Sequence, residues 1–93
     1  MAQNTTLTVP ADQWLQLTDA DVTRITFQNL SGNYLYIKGT TDATEPTSLD
    51  GSLKYSPRQG ERNVALADLF VGISAVRIWA YADDASDVFV SHA

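Results

Sequence analysis

Cysteine is absent from this 93-residue chain, histidine occurs once, and no apolar run approaches the length of a membrane helix. Without cysteine there can be no disulfide and no thiolate to hold a metal. A bilayer-spanning helix needs ~20 consecutive apolar residues, so no membrane association is expected. Residues 1–10, MAQNTTLTVP, have neither a basic start nor an apolar core, and no secretion signal is expected there. Positive charge is scarce too: six Lys and Arg face eleven Asp and Glu, for a net charge of −5. That balance repels phosphate backbones, so no nucleic-acid partner is expected. The plainest expectation is a soluble intracellular β-domain spanning residues 1–93 around one core, with residues 1–6 as a flexible N-terminal arm.

Helical periodicity is missing as well. No stretch repeats apolar residues at i, i+3, i+4 and i+7 over three turns. Short β-branched and aromatic runs lie between turn signals instead, at Leu7–Val9, Trp14–Leu17, Arg24–Leu30, Tyr34–Gly39, Ser52–Tyr55, Arg62–Leu66, Val76–Tyr81 and Val88–Ser91. Arg24–Leu30 and Tyr34–Gly39 are expected to pair as a hairpin through Ser31-Gly32-Asn33, and the last two runs as another. In the Ser56–Gly60 turn, Pro57 is expected to fix φ and Gly60 to supply a positive φ. Ala67–Phe70 has weak β-propensity and fits one helical turn. The expected fold is an all-β, single-domain antiparallel β-sandwich, jelly-roll or immunoglobulin-like, with six to eight short strands and little helix. Its expected core is Val9, Leu15, Leu17, Ile25, Phe27, Leu35, Ile37, Leu53, Val64, Leu66, Val76, Ile78, Val88 and Val90.

Little in the chain suggests catalysis. The only histidine, His92, is one residue from Ala93, and a chain end is a poor place to position a proton transfer. No serine sits in a G-x-S-x-G elbow, and glycines 32, 39, 51, 60 and 72 are too scattered to cradle phosphate. Asp19 with Asp21, and Asp83, Asp84 and Asp87, form acidic clusters without EF-hand spacing; they read as solvated turns. No catalytic residue, cofactor or metal is assigned, and no enzyme is expected.

The aromatic residues carry more information. If Ile25, Leu35 and Ile37 face the core, Tyr34 and Tyr36 face away from it. If Val76 and Ile78 face the core, Arg77, Trp79 and Tyr81 share the opposite side. Trp, Tyr and Arg together are the composition of interface hot spots. They are equally the composition of a sugar-binding platform, and a one-residue shift in register would make Trp79 a core tryptophan instead. Tyr34, Tyr36, Arg77, Trp79 and Tyr81 are therefore the candidate interface.

The order ITFQNLSGNYLYIKGT, DGSLKYSPRQGE, VRIWAYADDASDVFVS resembles small all-β proteins encoded among the virion structural genes of tailed bacteriophages and prophages. The positions carrying the likeness are Ile25–Asn29, Tyr36–Gly39, Gly51, Pro57, Glu61, Ile78–Tyr81 and Val88–Val90, within residues 22–92. The resemblance implies a virion component, made in the host cytoplasm, that binds the major capsid protein or another virion protein. A homo-oligomeric capsid decoration (cement) protein stabilising the outside of the head shell is the expected role. A tail or fibre accessory protein, or a carbohydrate-binding module using the aromatic face, is the alternative.

Overall fold

Alternating apolar side chains become eight strands in the computed structural model, which describes residues 3–93. They are β1 (Gln3–Val9), β2 (Trp14–Gln16), β3 (Arg24–Asn29), β4 (Leu35–Thr40), β5 (Leu53–Tyr55), β6 (Gly60–Ala65), β7 (Arg77–Tyr81) and β8 (Ser86–His92). One helical turn, α1 (Leu66–Leu69), follows β6. Two four-stranded antiparallel sheets form, ordered β1-β8-β3-β6 (sheet 1) and β2-β7-β4-β5 (sheet 2). The result is a β-sandwich.

The apolar set from each sheet meets in one core. Val9, Leu17, Ile25, Phe27, Leu35, Ile37, Leu66, Ile78, Val88 and Val90 are all buried there, eight of them at the inward positions of strands and Leu17 and Leu66 just beyond strand ends. Leu15, Leu53 and Val64 pack against its edge. Val76, expected in the core, is only half-buried because it precedes β7 where sheet 2 ends. Tyr55 joins the core unforeseen, edge-on to Phe27 at 5.0 Å between ring centroids.

Several expectations are corrected. β3 and β4 are not a hairpin, since they lie in different sheets, and the same holds for β7 and β8. Period-two burial is identical for strands side by side and strands facing each other across a core, so the sequence pattern did not distinguish them. What closes the β3–β4 corner is Asn29, wholly buried. Its Nδ2 donates to the carbonyls of Asn33 (2.7 Å) and Ser56 (3.2 Å), and its Oδ1 accepts from Ser31 N (3.1 Å) and Ser31 Oγ (2.7 Å). All four bonding positions of the amide are used. From Gln3 onward the expected flexible arm is strand β1, paired residue by residue with β8; residues 1 and 2 lie outside the described residues. The run expected at Arg62–Leu66 starts earlier, at Gly60, and Leu66 opens the helical turn instead. His92 is the buried last residue of β8, with Nε2 3.3 Å from Asp19 Oδ1.

Positive φ falls at Arg58 (70°) rather than at Gly60. Arg58 is the third residue of a turn closed by Gln59 N–H donating to Ser56 C=O at 3.1 Å, with Pro57 before it. Gly60 serves closeness instead: a Cβ there would lie 2.1 Å from the Phe27 carbonyl oxygen.

Candidate binding face

Sheet 2 turns Leu35, Ile37, Ile78 and Ala80 inward, so their neighbours must face out. Cross-strand register then decides which outward side chains meet. Trp14 of β2 stands opposite Tyr81 of β7, Tyr81 opposite Tyr36 of β4, and Tyr36 opposite Lys54 of β5. A single row of outward side chains therefore crosses all four strands, three of them aromatic. Ring centroids are 5.3 Å apart for Trp14 and Tyr81, tilted by 52°, and 6.4 Å for Tyr36 and Tyr81, at 63°. The Lys54 ammonium closes the row, 5.8 Å from the Tyr36 ring centroid and 4.2 Å from that of Tyr34. A cation over an aromatic face is held by the ring quadrupole.

Electrostatics set the rest of the face. The Tyr81 hydroxyl donates to Asp12 Oδ1 at 3.3 Å. Partial burial and then the Asp12 carboxylate hold the Tyr81 phenol above its ordinary range, so it stays neutral and a donor. Arg77 is engaged already, its Nε 2.7 Å from Asp21 Oδ1.

Of the five residues expected on this face, Tyr36, Arg77, Trp79 and Tyr81 lie on it in register. Tyr34 precedes β4, is 53% exposed, and reaches the row through Lys54. Trp79 is on the expected face but not presented to solvent. It is absent from the core cluster, yet only 7% of it is exposed. Its Nε1 donates to Thr40 Oγ1 at 2.9 Å, and its cross-strand neighbours are Gln16 and Lys38. Lys38 Nζ in turn donates to the Ser48 carbonyl at 3.1 Å, which ties the loop 41–52 to β4. Trp79 is thus packed beneath the face, and the accessible row is Trp14, Tyr81, Tyr36, Lys54 and Tyr34.

Trp14 and Lys54 were not foreseen. Trp14 was legible, since placing Leu15 in the core turns its neighbours outward; Lys54 required the β4–β5 pairing. Among the described residues, no three His, Asp or Glu side chains gather where a metal ion would sit. Nor is any helix among them long and apolar enough to cross a membrane. No family model, curated protein or solved structure matches the chain.

Proposed function

We propose that this protein is a non-enzymatic structural component of a phage particle, a decoration protein that attaches to the head shell through the outer face of sheet 2. The strand order supports a jelly roll: eight antiparallel strands wound between two sheets, the architecture used by viral capsid and lectin domains. Fold alone does not carry function, so the weight rests on the face.

The observation that carries the reading is the row Trp14–Tyr81–Tyr36–Lys54, one residue from each strand of the sheet. Tyr81 and Tyr36 on the two central strands, with Trp14 on one edge strand and the Lys54 cation on the other, suit a protein contact whose centre is apolar and whose rim is polar. Sugar stacking is served less well. Pyranose rings need flat aromatic faces, whereas these rings tilt by 52° and 63° toward one another, and Lys54 covers one side of Tyr34.

Mass spectrometry of purified particles from the strain that encodes the chain tests this reading. The protein should be present in many copies per particle and should rebind to particles stripped of it. Its absence from particles, or specific binding on a glycan array that Tyr36→Ala abolishes, would overturn the assignment.

A further inference from the structure

The face of the sandwich away from the aromatic row carries a second, differently built feature. β3 pairs with β6 through a bulge: Ile25 stands opposite Val64 and Phe27 opposite Glu61, leaving Thr26 opposite both Arg62 and Asn63. Asn63 takes the left-handed conformation (φ 48°) and its N–H donates to Thr26 Oγ1 at 2.8 Å. Bulges of this kind re-aim side chains. Here the bulge sets Arg62 at the rim of a concavity of about 470 Å³, together with Arg58, Gln28, Thr26 and the outward ring of Phe89; Glu61 lines it too, its Oε2 accepting from the Tyr55 hydroxyl at 3.1 Å, so two guanidiniums face one carboxylate. Arg58 reaches that rim from a φ of 70°, where glycine or asparagine is the favoured residue. Backbone strain kept at a charged side chain is a pointer to use. Among the described residues, no carboxylate forms an ion pair with either guanidinium.

An exposed turn of opposite charge lies at the other end of the same molecule. β4 finishes at Thr40, where Val76 N–H donates to the Thr40 carbonyl, so the loops 41–52 and 70–76 lie at that end. Arg58 lies at the opposite end, between Tyr55, paired with the first residue of β4, and Gly60. The loop 41–52 ends in a turn, Leu49-Asp50-Gly51-Ser52, its first three residues exposed, closed by Ser52 N–H donating to Leu49 C=O at 3.1 Å with Gly51 at φ 79°. That turn exposes a leucine beside a carboxylate, and Lys38 holds the loop in place through Ser48. A six-residue strand is about 20 Å long, so one molecule's turn does not reach its own concavity.

We propose that the concavity receives the Leu49–Ser52 turn of a second copy of this chain, Leu49 resting on Phe89 and Asp50 between Arg58 and Arg62. Guanidinium and carboxylate match in geometry as well as in charge. The two surfaces differ, so the contact is head-to-tail, and it closes into a ring or extends as a chain. It uses neither Tyr36 nor Tyr81 and does not rest on the shell-binding reading. Association through it leaves the aromatic face free for another partner.

Sedimentation of the purified chain against two neutral variants tests the proposal. The head variant is Arg58→Gly with Arg62→Ser, and the tail variant is Leu49→Ser with Asp50→Asn. Wild type should self-associate with rising concentration, and each variant should do so about a hundredfold more weakly. An equimolar mixture of the two should form a heterodimer and nothing larger, since one intact head and one intact tail remain. Circular dichroism checks that both variants fold, and glycine suits the backbone at position 58. A wild type that stays monomeric to its solubility limit, variants that associate like wild type, or a mixture without heterodimer would each overturn it.

Discussion

Tyr36 and Trp79 lie on one face of one sheet, and exposure is what separates them: Tyr36 is half-buried and Trp79 buried. Trp79 is covered and hydrogen-bonded, so its truncation empties packed space. Trp79→Ala is expected to lower unfolding free energy by about 3 kcal/mol, read by urea denaturation. Tyr55 makes a second residue-scale prediction. Its ring is buried, and its hydroxyl donates to Glu61 Oε2 at 3.1 Å. Burial first, and then the Glu61 charge, raise its pKa far above the ordinary 10.0. A raised folded-state value means its contribution is whole below pH ~10, where the unfolded phenol begins to ionise, and declines as pH climbs toward the folded value. Melting temperature measured from pH 9 upward should therefore fall, and Tyr55→Phe should flatten that fall. An equally steep fall in Tyr55→Phe would assign the alkaline loss to other groups.

At the scale of elements, the chain advertises its strands better than their partners. Alternation in Arg24–Asn29 and Leu35–Thr40 told which side chains go inward, and ten of the expected core residues are fully inside. It did not tell that these strands lie in different sheets, since the corner between them is bonded by Asn29 to Asn33 and to Ser56, 27 residues away. The Tyr36–Tyr81 contact depends on register between β4 and β7, far apart in sequence; the outward direction of both was legible, their adjacency was not. Trp79 was legible as outward but not as covered, since its burial depends on Thr40, Gln16 and Lys38, brought beside it only by strand pairing. Gly60 gives this scale its prediction. A methyl group there would strike the backbone carbonyl of Phe27, which cannot swing aside as a side chain could. Gly60→Ala should part β6 from β3 and cost about 3 kcal/mol, with amide exchange quickened along β6 before other strands.

For the whole molecule, the sandwich presents two outer faces of different character. One is an aromatic row ending in a lysine, the other an arginine-rimmed hollow on a chain of net charge −5. Under the proposals above, one face would hold a shell and the other neighbouring copies, and weak contacts would gain from repetition. Adjacent substitutions in β4 separate folding from attachment. Ile37→Ala removes buried methylenes from the core and should cost about 4 kcal/mol of stability. Tyr36→Ala loses one aromatic contact on the outer face and should cost about 1 kcal/mol or less. The most direct test of the account is the affinity of folded Tyr36→Ala for particles stripped of this protein, measured against wild type. Binding weaker by about 2 kcal/mol, some thirtyfold, is the predicted result; wild-type affinity from a folded Tyr36→Ala would contradict the claim that the outer face of sheet 2 is the attachment surface.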